Sequence, residues 1–272
     1  MTEYGDIEVP GTLYKYRALS GEQRKFTANI ILNRELWWSP ASQLNDEWDC
    51  NSLARLSGSR LANELAMRRI LRNEFPYLSK AEVKKIAKYR SRRPNHEFEA
   101  AMGALIEQER DSIGVCSLSS DPYVEKLWTD YADSHRGVCL RFDDLLIDER
   151  HGLSAQPHFG LAMRVSYQDE RPGIQVYGKD IGYENLKKYL LTKTRKWEYE
   201  AEWRLVKSGF TGNRPFPPAC LSGVIFGKAI LDEDRCAVID WVNARTTAVE
   251  FLQAREVDGK IVIFPDPLTT IC

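Results

Sequence analysis

The chain has 272 residues, 43% of them hydrophobic and 28% charged, with a formal net charge of -1. That length is enough to bury a sizeable core, and the composition is that of an ordinary globular protein rather than a disordered or fibrous one. A charge balance near zero excludes a general nucleic-acid or membrane-surface binder, so any basic patch must be local.

Thr12 to Ala18 alternates aromatic or apolar with basic residues. The alternation predicts a strand with Tyr14 and Tyr16 on one side and Lys15 and Arg17 on the other. Ser20 to Leu32 reads as a capped helix, and Glu35 to Ser39 as a second strand stopped by Pro40. Asn45-Asp46 marks a polar turn. The aromatics of this first unit (Tyr14, Tyr16, Trp37, Trp38 and Trp48) are candidates to wall a pocket.

Residues 52–109 change to helical spacing, through Leu61, Leu65, Ile70, Leu71, Ala81, Val83 and Ile86, with breaks near Pro76 and Pro94. This segment reads as a helical insertion in a single 1–272 domain. It holds ten Lys and Arg residues between Arg68 and Arg93. Two readings apply to them: a solvated face of amphipathic helices, or a local anchor for phosphates of a nucleotide or nucleic acid.

Asp111 to Leu118 reads as a buried strand, and Ser119 to Pro122 as the start of a helix ending at His135-Arg136-Gly137. Trp128 and Tyr131 share a face of that helix, which suits core packing or stacking on a base or nicotinamide ring. His135 has no partner identifiable in the sequence. Val138 to Phe142 and Leu161 to Tyr167 are further strands, followed by a helix over Asp180 to Thr194. In Arg195 to Val206 a period of two places Trp197, Tyr199, Ala201, Trp203 and Leu205 on a core face. The other face carries Glu198, Glu200, Glu202 and Arg204. Aligned carboxylates are costly unless used, which makes Glu200 and Glu202 the candidate reaction centre. The same charges also suit an edge strand protected against aggregation. Leu221 to Gly227 is a buried strand, Asp232 to Ala244 a helix, and Ala248 to Arg255 with Lys260 to Phe264 a hairpin turning at Asp258-Gly259.

Grouped rather than alternating helices predict an α+β fold with a mixed or antiparallel sheet core. The six cysteines are scattered without a CxxC pair and read as reduced core thiols. No GxGxxG, GxxxxGK[ST], GxSxG or HExxH motif occurs, and the four histidines are not spaced for metal, so no metal is predicted. The first residues lack a basic start followed by an apolar run, and no stretch reaches about 18 apolar residues. The expectation is a cytoplasmic protein with no membrane partner.

Leu13 to Arg17, Leu36 to Pro40 with Asn45-Asp46, Trp128-x-x-Tyr131 with His135-x-Gly137, and Lys196 to Arg204 occur together in this order. That combination resembles the bacterial domain-of-unknown-function 2971 family, from about Leu13 to Gly227. A second resemblance is to mono-ADP-ribosyltransferases, in which a strand with a basic residue, an aromatic or Ser strand and a Glu-x-Glu pair follow one another. Lys15 or Arg17, then Trp38-Ser39, then Glu200-x-Glu202 follow that sequence of types.

The second resemblance implies an ADP-ribosyltransferase-like core that takes NAD as substrate. In it Glu202 would hold the ribose hydroxyl and stabilise an oxocarbenium-like centre, while Glu200 would orient or deprotonate the acceptor. Arg17 would reach the pyrophosphate, and Trp38 or Tyr14 would stack on nicotinamide. Ser39, Asn45, Asp46, Trp128, Tyr131 and Arg204 complete the candidate nucleotide-binding set. The acceptor would be protein or nucleic acid, as for a bacterial toxin or phage-defence effector. Two alternatives stay open. One is a metal-dependent nuclease using Glu198, Glu200 and Glu202 with Asp46 or Asp49. The other is a non-catalytic nucleotide- or peptide-binding module whose carboxylates are salt-bridged.

Overall fold

The structure, a computed structural model, describes residues 11–46, 49–50, 53–55, 60–91, 110–145, 162–175 and 188–266. Contacts divide the chain into two compact units, Met1–Ser39 with Gly114–Val165 and Lys196–Cys272, and Pro40–Ile113 with Ser166–Arg195. The helical segment 52–109 lies within the second.

The first unit is built on a ten-stranded, mostly antiparallel sheet, which gives the expected α+β class. Its first strand is β1 (Thr12–Arg17), followed by helix α1 (Gln23–Leu32) and β2 (Glu35–Pro40). Helix α1 starts three residues later than the sequence predicts, because Gly21 turns the chain first at a φ of 53°, a conformation that glycine adopts without steric cost. Beyond β3 (Leu53–Arg55) come β4 (Ile113–Ser119) and β5 (Val138–Asp143). Strand β1 runs antiparallel between these two, with Tyr14 opposite Ser119 on β4 and Arg141 on β5. Strand β2 joins the other side of β4, and β10 (Glu202–Ser208) also pairs with β4 and with β6 (Met163–Arg164). The segment predicted as one strand over Leu161 to Tyr167 is divided at Val165 between β6 and β7 (Ser166–Gln168), and Leu161 lies outside the described residues.

Strand β5 continues the sheet to β12 (Leu221–Phe226), which pairs parallel with β13 (Glu250–Val257). The last hairpin joins β13 to β14 (Lys260–Pro265) through Asp258 and Gly259, at φ 51° and 73°. Two left-handed residues are what a two-residue turn compatible with strand twist requires. Two clusters make the core: one gathers Leu13, Trp38, Cys116, Leu140, Trp203 and Leu205, the other Tyr16, Trp128, Cys139, Ile225 and Ala254. The period of two in β1 sends Leu13 to the first and Tyr16 to the second. A long helix near the chain end (Asp232–Asn243) buries Val238, Ile239 and Val242.

In the second unit α2 (Arg60–Glu74) and α3 (Lys80–Arg90) form a hairpin around Met67, Leu71, Val83 and Ala87, broken near Pro76 as predicted. Leu61 and Leu65 are exposed, contrary to the spacing argument. The expected helix over Asp180 to Thr194 ends differently: Thr192–Thr194 is strand β9, parallel to β7. Residues 92–109 and 176–187, and with them Pro94, Arg92, Arg93 and the body of that helix, lie outside the described residues. Cys50, Cys116, Cys139 and Cys220 are free and buried. Cys236 is disulfide-bonded, which corrects the expectation of six reduced thiols. Among the described residues no helix is long and apolar enough to cross a membrane.

Candidate functional site

The segment Arg195 to Val206 is not one strand. Arg195–Glu200 forms a tight 3-10 turn and β10 begins at Glu202, with Ala201 between them at a φ of 44°. A left-handed residue cannot continue a pleat, so Trp197 and Tyr199 leave the face of Trp203 and Leu205. The former pair are half-buried and the latter fully buried. The expectation of a solvated charged face is overturned as well. Glu202 is 3% exposed and Arg204 is 0% exposed.

These two charges satisfy one another. Arg204 donates from Nε to Glu202 Oε1 at 2.8 Å and from Nη2 to Oε2 at 3.1 Å. A two-point guanidinium fork is the strongest common carboxylate contact, and it lets both charges enter the core. Glu200, in the turn, accepts from Tyr131 Oη at 2.8 Å, while its backbone carbonyl accepts from Ser119 Oγ at 2.7 Å. The Ser120 N–H donates to the Ala201 carbonyl at 3.1 Å. The end of β4 therefore fixes the turn through the Ser119 hydroxyl and the Ser120 N–H, with Tyr131 holding the Glu200 side chain, and the 3-10 turn holds Glu200 apart from the Glu202 side of the strand.

On β1, Lys15 Nζ donates to the Ser117 carbonyl at 2.8 Å, and Arg17 Nη2 to Gln23 Oε1 at 2.9 Å. The Arg17 Nε is buried with no hydrogen-bond partner. Burial lowers the pKa of Lys15, Arg17 lowers it further, and the Cys116 thiol and Glu202 push it back up. Cys116, one strand over on β4, is raised by burial, drawn down by Lys15 and Arg17, and raised again by Glu202. Three charged side chains from β1 and β10 thus act on one thiol in the middle of β4. The sequence flags Lys15 through the alternation in β1 but gives no signal for Cys116 beyond a core thiol.

Other predicted residues are placed differently. Trp38 is 0% exposed, edge-on to Phe210 at 6.4 Å and under the Arg214 guanidinium at 5.5 Å. Stacking on a ligand from this position requires the core to open. Trp128 is also fully buried, edge-on to Tyr16 at 5.2 Å and stacked on His135 at 5.7 Å, with its indole N–H on the Pro122 carbonyl at 2.9 Å. It is core packing. The short helix α4 (Glu125–Asp130) that carries it also supplies the partner that His135 lacks in the sequence: Glu125 Oε1 lies 2.7 Å from His135 Nε2. Tyr14 is half-buried on the opposite side of β1 from Lys15 and Arg17, and burial raises its pKa. Ser39 is half-buried on β2. The aromatics Tyr14, Tyr16 and Trp38 divide between the two core clusters and Trp37 is exposed, so they do not wall one pocket, and Trp48 lies outside the described residues.

Asn45 and Asp46 belong to the second unit. Asn45 is exposed, and the buried Asp46 carboxylate accepts from the Thr194 N–H at 2.6 Å, tying the polar turn to β9. Asp49 is buried 3.9 Å from Lys193 Nζ. Among the described residues no three His, Cys, Asp or Glu side chains form a cluster that could hold a metal ion.

Residues 127–205 match a family model described as a protein of unknown function, DUF2971. The match spans Trp128, Tyr131, His135, Gly137 and the Lys196 to Arg204 motif, so the resemblance to that family holds over this segment. No curated protein and no solved structure matches the chain.

Proposed function

We propose that the first unit is an ADP-ribosyltransferase-like enzyme that uses NAD. The observation that carries this reading is topological: β1, β2 and β10, which bear Arg17, Ser39 and Glu202, all pair with β4. Three residue types scattered over 185 positions of sequence thereby share one neighbouring strand. In this reading Lys15 and Arg17 hold the pyrophosphate, the buried unpartnered Nε of Arg17 being a donor in reserve. The C1′–N bond to nicotinamide breaks and its electron pair leaves with the ring. The Glu202 carboxylate, aimed by Arg204, faces the positive charge left on the ribose. Glu200 takes the proton of the acceptor as its heteroatom bonds to C1′, and Tyr131 orients it.

The test is nicotinamide release from NAD by the purified chain, with protein and nucleic-acid acceptors supplied in turn. Wild-type release that is lost in Glu202→Gln and Glu200→Gln, both still folded by circular dichroism, supports the reading. Arg17→Gln should raise KM more than it lowers kcat. Absence of release with every acceptor ends it.

A second reading rests on the Glu202–Arg204 fork, which engages both carboxylate oxygens inside the core. It is a non-catalytic nucleotide- or peptide-binding module in which the pair is structural. Here nucleotide binding by the wild type is expected without turnover, and Glu202→Gln should alter melting more than affinity.

A further inference from the structure

The α2–α3 hairpin concentrates charge in a nearly neutral protein. Residues 60–90 hold nine basic and three acidic residues. Among the acidic ones, Glu64 pairs with Arg68. Glu82 is used in a capping box, accepting from the Ser79 N–H at 2.9 Å while Ser79 Oγ accepts from the Glu82 N–H at 3.2 Å. Lys80, Lys84, Lys85 and Lys88 on α3, with Arg69 and Arg72 on α2, are exposed and form no ion pair among the described residues.

Their arrangement is ordered. Lys80, Lys84 and Lys88 recur at four-residue spacing, which sets three ammonium groups in a row about 6 Å apart along the helix. Like charges at this spacing destabilise a helix, so the row costs stability unless an anion meets it. Lys85 and Tyr89 form the next row. Tyr77, in the turn between the helices, is 79% exposed and edge-on to Phe75, and Tyr89 is 62% exposed. Large exposed aromatics beside unpaired cations are the two components with which proteins hold unpaired nucleic-acid strands: ammonium groups follow the phosphates and rings stack on bases.

We infer that the α2–α3 hairpin is a binding surface for single-stranded nucleic acid, with the Lys80–Lys84–Lys88 row on the phosphates and Tyr77 and Tyr89 beneath bases. A lipid surface is less well served, because the apolar side chains of α3, Val83 and Ala87, are consumed in the hairpin's own core. The surface is independent of the NAD reading and stands or falls by itself.

The experiment is fluorescence anisotropy of a labelled single strand of about 20 nucleotides, long enough to span several contacts, titrated with the full chain. The expected dissociation constant is roughly 1 to 100 μM near physiological salt, tightening as salt is lowered. The triple variant Lys80→Ala/Lys84→Ala/Lys88→Ala should bind at least about tenfold more weakly, with the slope of log K against log salt reduced by about 2, three phosphate contacts at about 0.7 each. Tyr77→Ala and Tyr89→Ala should weaken binding without changing that slope. Arg69→Ala/Arg72→Ala gives an independent reading from the other helix, and circular dichroism checks that each variant is folded. The proposal is overturned if the wild type does not bind at low salt, or if the triple variant keeps wild-type affinity and slope. Tighter binding to duplex or to anionic vesicles than to the single strand overturns the choice of partner.

Discussion

Replacing Arg204 by Met keeps much of the volume of the side chain and removes its charge and all of its donors. Arg204 is fully buried and both of its hydrogen bonds to Glu202 are short and well directed. The substitution therefore leaves a carboxylate at 3% exposure without the guanidinium that neutralised it. Breaking one side of a buried pair costs about 3 to 5 kcal/mol. For a chain of this size each kcal/mol moves the midpoint by about 2 to 4 °C, so Tm should fall by roughly 6 to 20 °C. The double variant Glu202→Met/Arg204→Met removes both charges together, and replacing a buried pair by apolar groups is often near neutral. It should therefore be more stable than Arg204→Met alone. Urea titration of wild type, both single variants and the double variant closes the thermodynamic cycle. If Arg204→Met lies within about 0.5 kcal/mol of wild type, as a surface substitution would, or if the double variant is worse than either single one, the pair is not the buried, mutually satisfied unit described above.

The remaining expectations are separable by assay. Trp203→Ala should cost about 3 to 5 kcal/mol in urea unfolding as a truncated core aromatic, whereas the half-buried Trp197 should cost about 1 kcal/mol when truncated. Equal losses would restore the single-strand reading of this segment. Ser79→Ala removes the capping box of α3 and should destabilise by about 1 kcal/mol, seen as faster amide exchange in Lys80–Arg90 with no change elsewhere in the chain. Lys15 has a folded pKa below 10.5 because burial disfavours its charge. Between that lowered pKa and 10.5 the unfolded chain binds more protons, so this residue makes stability rise with pH in that window. The Lys15→Met curve should lack that rise, and parallel wild-type and variant curves below pH 10.5 would contradict the assignment. Gly137→Ala places a methyl 2.1 Å from the Arg17 carbonyl. Because the atoms it meets, the Arg17 and Ala132 carbonyls, are backbone and cannot swing aside, it should be among the most damaging single-methyl additions, read as loss of soluble folded protein or a large fall in Tm.

Much of the sheet was legible because its signals are local. Alternation in Thr12–Arg17, the apolar run of Leu221–Phe226 and the Asp258-Gly259 turn each specify an element within a few residues. The segment around Glu200 was not. Its side chains alternate perfectly in sequence, yet Ala201 takes a left-handed φ that no side chain at that position announces. The burial of Glu202 was hidden for a different reason. A carboxylate reads as solvent-facing until its partner is identified, and the choice of Arg204 two residues on, rather than water, is made by the packing of β10 against its neighbours. Tyr131 meets Glu200 across 69 residues and Lys15 senses Cys116 across a strand pairing. Contacts of that range follow from strand order, which local patterns do not encode. The α3 cations are the opposite case: their crowding is visible in the sequence, and their exposure without an ion-pair partner among the described residues is the part that structure adds.

The Glu202–Arg204 pair has a further consequence, for the order of events in folding. Its members are two residues apart on one strand, so they can meet in the unfolded chain with almost no loop-closure entropy. Most buried ion pairs join distant segments and must be stripped of water while the chain is still searching for the partner. Here the two charges can cancel before β10 docks. The strand then arrives at β4 with these two charges already paired, Trp203 and Leu205 on one face and a closed salt bridge on the other. The slow step that remains is the long-range pairing itself, which links residues near 115 to residues near 205 and carries the entropic cost of a large closed loop.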